Sequence, residues 1–106
     1  MVINTGGEKV FVEEVEEVLR AHPNIADALV VGRPSERWGE EVVAIVAPHP
    51  GARLTADGRA LYTFCTSQLA QFKAPKAFIF VEQIQRLGNG KPNYRWAREQ
   101  AEEKVS

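Results

Sequence analysis

The chain has 106 residues, of which 44% are hydrophobic and 25% are charged, and this length and composition predict one compact domain with a hydrophobic core. Thirteen basic against fourteen acidic residues give a net charge of −1, which argues against a protein that holds nucleic acid or an anionic membrane by overall charge. Cys65 is the only cysteine, which excludes an intrachain disulfide and fits a cytoplasmic setting, and neither a signal peptide nor a transmembrane segment is predicted.

Hydrophobic periodicity predicts one helix and two strands in the first half of the chain. The helix follows Gly6-Gly7 and ends at Pro23. Its predicted apolar face contains Phe11, Val15, Val18, Leu19 and His22. Its predicted solvent face contains Glu13, Glu14, Glu16 and Glu17. The strands are predicted at residues 25–31, interrupted only by Asp27, and at residues 42–47, whose continuous apolar run is typical of a central strand covered on both faces.

The second half of the chain predicts a helix, a strand and a final helix. Thr55 is a candidate N-cap of the first of these helices. The predicted buried stripe of that helix is Leu61, Phe64, Cys65, Leu69 and Phe72. Residues 73–76 end the helix, residues 77–81 form the strand, and Pro92 is expected to be the first residue of the last helix. The whole pattern predicts an α+β fold, in which a small three-stranded mixed sheet is flanked by about three helices and preceded by a short hairpin-like loop.

Lys91 is the sharpest candidate for chemistry. It ends the loop Gly88-Asn89-Gly90-Lys91, whose glycines leave the backbone free and keep bulk away from the lysine. If Pro92 opens a helix, the Lys91 ammonium and the unpaired N–H groups of the first helical turn would face the same anion. Taken alone, this pattern is more often a turn with a solvated lysine.

Three ordered segments carry a resemblance to a known family. They are Thr5-Gly6-Gly7-Glu8 with the acidic helix that follows, Arg33-Pro34-x-x-Arg37-Trp38-Gly39-Glu40, and the loop that ends at Lys91. From residue 5 to about residue 98 the chain resembles the C-terminal domain of adenylate-forming (AMP-binding) enzymes, in the acyl-CoA synthetase branch. The run Tyr-Arg-Trp-Ala at 94–97 is similar to that of bacterial ligases for fatty or sterol-derived acids.

The resemblance implies that Lys91 is the catalytic residue of the first half-reaction. It would bridge the substrate carboxylate and the α-phosphate of ATP while the acyl-adenylate forms. The resemblance also implies that the chain is the mobile C-terminal domain of a longer acid–thiol ligase. The large N-terminal domain, which binds ATP and the acid, would precede Met1, so this fragment alone is expected to be inactive.

A second set of residues is implied to bind CoA. Gly6, Gly7 and Glu8 would line the pantetheine channel in the thioester-forming step. Trp38 and Phe72 would lie near the adenine, and Lys73 and Lys76 near the phosphates. From the residues alone, the glycines are equally typical of a tight turn. The two aromatic residues are equally typical of ordinary packing.

The implied cofactors are ATP, CoA and Mg²⁺, with Mg²⁺ held mainly by the N-terminal domain. The implied partners are that domain, CoA and a carboxylic acid substrate. His22 and His49 are expected to be a packing residue and a turn residue, so no metal ligand is predicted in this chain. Two alternatives stay open: an adenylating enzyme that loads the phosphopantetheine of a carrier protein, and a docking or regulatory module without turnover. RNA binding through the glycine loops is excluded by the lack of a basic face.

Overall fold

The computed structural model describes residues 1–52 and 58–103, so the candidate N-cap Thr55 lies outside the described residues. The described strands are β1 (Val2–Thr5), β2 (Glu8–Phe11), β3 (Ile25–Ser35), β4 (Gly39–Pro48) and β5 (Ala77–Phe80). The described α-helices are α1 (Val12–Arg20), α2 (Arg59–Gln68) and α3 (Tyr94–Glu103), and Gln71–Lys73 form a single 3-10 turn. Within these ranges no helix has both the length and the apolar character needed to cross a bilayer.

Strand β4 is the centre of a five-stranded mixed sheet. Strand β3 runs antiparallel to it along its whole length, while β5 pairs parallel with Val43–Val46. Strand β1 joins the beginning of β4, where Thr5 lies opposite Gly39, and forms a hairpin with β2. The predicted α+β class, mixed sheet and hairpin are confirmed. The predicted number of three strands is wrong, because the hairpin is hydrogen-bonded into the sheet instead of standing beside it.

A hydrophobic cluster lies on each face of the sheet. One cluster joins the sheet to α1 and α2, and the other joins it to α3. Successive residues of β3 alternate between the two: Val30 belongs to the first and Val31 to the second, as the pleat of a strand requires. All residues from Val42 to Ala47 are buried, which confirms the prediction of a central strand covered on both sides.

The first helix buries a different set of residues from the predicted one. Phe11 ends β2 and is 55% exposed, because the alternation of that strand turns Val10 inward instead. The buried side chains of α1 are Val12, Val15, Glu16 and Leu19. The prediction that Glu16 faces solvent is wrong: it lies one turn after Val12 and is only 2% exposed.

Two element boundaries also differ from the prediction. Helix α2 ends at Gln68, and Phe72 lies on the separate 3-10 turn instead of the stripe of that helix. Helix α3 begins at Tyr94, not at Pro92. The side chain of Asn93 accepts a hydrogen bond from the Trp96 amide at 3.1 Å, so this asparagine provides an N-cap that the sequence analysis missed.

Candidate functional site

Five of the seven predicted CoA-binding residues line one pocket. The pocket has a volume of about 390 Å³, and its lining residues are Thr5, Gly6, Glu8, Trp38, Gln71, Phe72 and Lys76. Three elements meet there: the turn between β1 and β2, the turn between β3 and β4, and the 3-10 turn that precedes β5. Residues far apart in the sequence therefore form one concave surface.

The glycine turn of the hairpin lies directly against Trp38. The Gly6 amide donates a hydrogen bond to the Trp38 carbonyl at 2.8 Å. Gly6 has a φ of +58°, and a Cβ on it would lie 3.2 Å from the Trp38 ring. Gly7 has a φ of +84° but would meet nothing within 4 Å, and it does not line the pocket. Both positions favour glycine for backbone conformation, whereas only Gly6 has a close neighbour.

Two cations lie over the Trp38 ring. The Arg37 guanidinium carbon is 4.7 Å from the ring centroid, and the Lys76 ammonium is 5.6 Å from it. The half-buried indole thus has positive charge within cation–π distance. Arg37 was not among the predicted site residues, although its place beside Trp38 in the sequence was a usable signal. A flat group that carries phosphates matches this combination of aromatic surface and charge.

Lys73 is the other predicted CoA-binding residue that does not line the pocket. Its ammonium forms an ion pair with Glu14 at 2.8 Å and lies 5.8 Å from the centroid of the Phe72 ring. The carboxylate of Glu14 partly balances its charge. Lys73 is therefore less available to an incoming phosphate than Lys76.

Lys91 lies outside this pocket, at the end of an exposed loop. The Gly90 amide donates to the Leu87 carbonyl at 2.8 Å, and the Leu87 amide donates to the Lys91 carbonyl at 3.1 Å. Gly90 has a φ of +84°, which a side chain would strain. Over residues 1–52 and 58–103, the Lys91 ammonium forms no ion pair. The expectation that Lys91 directly precedes a helix is wrong, since α3 begins three residues later.

Behind that loop lies a charged pair that the sequence analysis missed. Arg86 donates from Nε to Asp27 Oδ2 at 2.9 Å and from Nη2 to Asp27 Oδ1 at 2.8 Å. Its third group, Nη1, donates to the Gly90 carbonyl at 3.1 Å. Burial acts to raise the pKa of Asp27, but the hydrogen bonds from Arg86, from the Ala28 amide and from Arg20 outweigh it and lower that pKa. The available signal was Asp27 itself, the one charge in an otherwise apolar strand segment.

The buried Glu16 carboxylate continues this arrangement into the core. It accepts hydrogen bonds from the Val30 amide at 2.9 Å and from the Tyr94 hydroxyl at 3.0 Å, and Arg20 lies 3.6 Å away. Burial raises the pKa of Glu16 although these contacts act in the opposite direction. Burial also raises the pKa of Tyr94, with the Glu16 charge acting the same way. The available signal for the burial of Glu16 was its spacing, one helical turn after the apolar Val12.

Comparisons with known proteins agree with the resemblance seen in the sequence. Residues 14–91 match the family model described as the AMP-binding enzyme C-terminal domain. The chain is 54% identical over 99 residues to the medium-chain acyl-CoA ligase Mig of Mycobacterium avium, covering 93% of this chain and 18% of that protein. It is 49% identical over 100 residues to a Mycobacterium marinum protein named as a medium/long-chain-fatty-acid and 3-oxocholest-4-en-26-oate CoA ligase, covering 94% and 18%.

A solved structure is similar over nearly the whole chain. The Mycobacterium tuberculosis fatty acyl CoA synthetase superposes with a TM-score of 0.88 at 34% identity, covering 99% of this chain and 20% of that one. The chain thus spans about a fifth of the length of these proteins.

Proposed function

The chain belongs to the C-terminal domain family of AMP-binding enzymes, and from this membership we propose that it is the mobile catalytic domain of a longer, AMP-forming acyl-CoA synthetase. In the proposed reaction a carboxylate oxygen attacks the α-phosphorus of ATP and pyrophosphate leaves. The thiol of CoA then loses its proton, its sulfur attacks the carbonyl carbon, and AMP leaves. The names of the two similar ligases support a medium-chain, long-chain or sterol-derived acid as substrate.

One observation supports this proposal: the two candidate regions, the pocket beside Trp38 and the loop that ends at Lys91, are distinct, because Lys91 does not line the pocket. Two successive half-reactions need different groups at one reaction centre. A domain that carries each set of groups on a different part of its surface can exchange them by rotating. The partner that holds the reaction centre would be the N-terminal domain of the same enzyme.

Lys91 is suited to the adenylation step. A carboxylate and a triphosphate repel each other as they approach, and a fixed cation between them stabilises the charge that develops. The exposed Lys91 side chain forms no ion pair with the described residues, so its charge is available to anions that another domain would hold.

The pocket is suited to one part of CoA. The adenine would stack on Trp38, with Phe72 on the neighbouring wall and the phosphates near Lys76 and Arg37. The pantetheine arm would pass the hairpin turn, where the glycines leave room for a thiol. Glu8 also lines this pocket, and its carboxylate would lie beside that arm.

ATP and CoA would be the substrates that accompany the acid, and Mg²⁺ would accompany the triphosphate. Among the described residues, no three histidine, cysteine or acidic side chains come together as a metal site. From the family membership we propose that residues of the N-terminal domain hold Mg²⁺. An enzyme that uses ATP and CoA fits a cytoplasmic setting.

The test uses the full-length ligase that contains this chain. Carboxylate-dependent ATP–pyrophosphate exchange and thioester formation are measured with medium-chain, long-chain and sterol-derived acids, offering either CoA or a phosphopantetheinylated carrier protein as acceptor. Exchange together with transfer to CoA supports the proposal. Transfer to the carrier protein alone would favour the carrier-loading enzyme, and no exchange with any acid would favour a docking module.

A further inference from the structure

The Lys91 loop is closed on itself by backbone hydrogen bonds. Its backbone bonds join Leu87 to Gly90 and to Lys91, and Arg86 pairs with Pro92 at its base. Leu87 is 47% exposed, so burial of its largest apolar side chain anchors the loop only in part. A loop of this kind needs another contact to hold a definite position.

Arg86 provides that contact. Within the described residues, its bond to the Gly90 carbonyl is the one side-chain hydrogen bond that reaches residues 87–91 from outside them. The same guanidinium is held by both oxygens of Asp27. Arg86 therefore connects the residue immediately before Lys91 to strand β3, and the planar fork of arginine makes all three bonds at once.

Asp27 is itself fixed in place. Its Oδ1 accepts hydrogen bonds from the Ala28 amide at 2.9 Å and from Arg20 Nε at 3.2 Å. Arg20 also donates to the Ala28 carbonyl at 2.8 Å. The side chains of Asp27 and Arg86 are 24% and 30% exposed, so solvent screens this pair only in part.

We propose that Asp27 and Arg86 are positioning residues for adenylation, which hold the loop so that the Lys91 ammonium reaches the reacting anions in one geometry. This inference rests on the proposed function of Lys91. It differs from a general role in stability because Arg86 contacts the loop itself and Asp27 holds Arg86. A displacement of a catalytic group by about 1 Å can lower a rate by about a hundredfold.

Arg33 offers a matched control. Its guanidinium also pairs with a carboxylate, that of Glu41, and also donates to a backbone carbonyl, that of Ala101, at 3.2 Å. Its contacts join β3, β4 and α3, and none of them reaches the Lys91 loop. Replacing Arg33 by lysine removes equivalent bonds at a different place.

The experiment compares Asp27→Asn, Arg86→Lys, Arg33→Lys and Lys91→Ala in the full-length ligase. Lysine at position 86 cannot donate to both Asp27 oxygens and to the Gly90 carbonyl together, while asparagine at 27 removes the charge and keeps the shape. We expect the Asp27 and Arg86 variants to lower the rate of ATP–pyrophosphate exchange by about tenfold to a hundredfold. Thioester formation from preformed acyl-adenylate should stay within about twofold, as should both reactions in Arg33→Lys.

The double variant Asp27→Asn/Arg86→Lys adds a second criterion. If the two side chains act through one contact, its exchange rate should equal that of the worse single variant instead of falling by the product of the two losses. Thermal unfolding of each variant shows how much of any loss comes from lower stability.

Two outcomes would overturn the inference. One is exchange in the Asp27 and Arg86 variants that equals the exchange of Arg33→Lys while Lys91→Ala is impaired. The other is an equal loss of both half-reactions in the Asp27 and Arg86 variants. If Lys91→Ala itself keeps full exchange, the proposed function fails, and the inference that rests on it fails with it.

Discussion

The Trp38 pocket and the Lys91 loop differ in shape and in the number of elements that contribute residues to them. The pocket is concave and combines residues of three elements, among them Trp38, Phe72 and Lys76. The loop is exposed and is attached to the sheet through Arg86. The pocket offers a surface on which a ligand can lie. The loop offers a single cation, Lys91, and Arg86 connects this loop to the sheet. We propose that a domain built in this way supplies a binding surface for one step and a charge for another.

This difference makes the two regions separable by mutation. Changes in the pocket should act on the acceptor of the second half-reaction, and changes at the loop should act on the first. Variants at both regions, and of the buried groups that support them, test this separation.

Replacement of Lys91 by alanine should have the largest effect. We expect the rate of ATP–pyrophosphate exchange in the full-length ligase to fall by about 10²–10³, the usual result of removing one preorganised group that stabilises a transition state. Lys91→Arg keeps the positive charge but changes the shape of the cationic group, so its exchange rate should lie between those of the wild type and Lys91→Ala. An exchange rate for Lys91→Ala within a few fold of the wild type would contradict the assignment.

Removal of the buried Glu16 carboxylate should strongly destabilise the domain. Glu16→Ala leaves the Val30 amide and the Tyr94 hydroxyl without their acceptor, and we expect the free energy of unfolding to fall by about 2–3 kcal/mol. Glu17→Ala, on the exposed side of the same helix, should change it by less than about 0.5 kcal/mol. Denaturant unfolding of the chain measures both changes in unfolding free energy. A change for Glu16→Ala as small as the change for Glu17→Ala would show that the Glu16 contacts contribute little to stability.

Loss of the Trp38 ring should weaken binding of CoA. Stacking of a base on an aromatic side chain contributes about 1–3 kcal/mol, so Trp38→Ala should raise the KM for CoA by roughly tenfold to a hundredfold. Phe11 is the matched control, because it is aromatic and exposed and does not line the pocket. A KM that Phe11→Ala raises as much as Trp38→Ala would argue against a CoA site in this pocket.

Alanine substitutions at the two hairpin glycines should distinguish the effect of backbone strain from the effect of contact with Trp38. Alanine at Gly6 or Gly7 must adopt a positive φ, which lowers stability by about 1–2 kcal/mol in each case. Only the alanine at position 6 would press on the Trp38 ring, so only Gly6→Ala should also raise the KM for CoA. An equal change of KM in both variants would mean that contact with Trp38 is not the cause.

The pH dependence of stability should show the smallest effect. Because the folded-state pKa of Asp27 is lowered, its carboxylate stabilises the fold at pH values above its unfolded pKa. That contribution is lost as the pH falls through the folded pKa. The difference in unfolding free energy between the wild type and Asp27→Asn should therefore be largest near neutral pH and shrink in acid. A difference that stays constant with pH would contradict the ion pair with Arg86.

The sequence predicted the parts of the fold that depend on local pattern. The apolar run at 42–47 identified the central strand because a strand covered on both faces needs no alternation. It did not reveal that the hairpin joins β4, since a pairing between Thr5 and Gly39 leaves no local pattern. The end of α2 before Phe72 was also missed, because hydrophobic spacing continues beyond the last helical hydrogen bond.

In the candidate site, too, the sequence predicted residues of short motifs but not the contacts between residues that are distant in the chain. Residues of short motifs, such as Gly6 and Trp38, could be proposed from the family resemblance, and the structure places them in one pocket. The contacts that support the loop could not be found, because Asp27 and Arg86 are 59 residues apart in the chain. The burial of Glu16 depends on Tyr94 in the last helix, and helical periodicity alone does not show such a partner.

Separate roles for the pocket and the loop are tested by measuring each half-reaction in the variant that is aimed at the other one. Single-turnover thioester formation from preformed acyl-adenylate is measured in Lys91→Ala, and ATP–pyrophosphate exchange is measured in Trp38→Ala, both in the full-length ligase. If the two regions serve separate steps, each rate should stay within about twofold of the wild type. Losses of similar size in both half-reactions for both variants would show that the pocket and the loop do not serve separate steps.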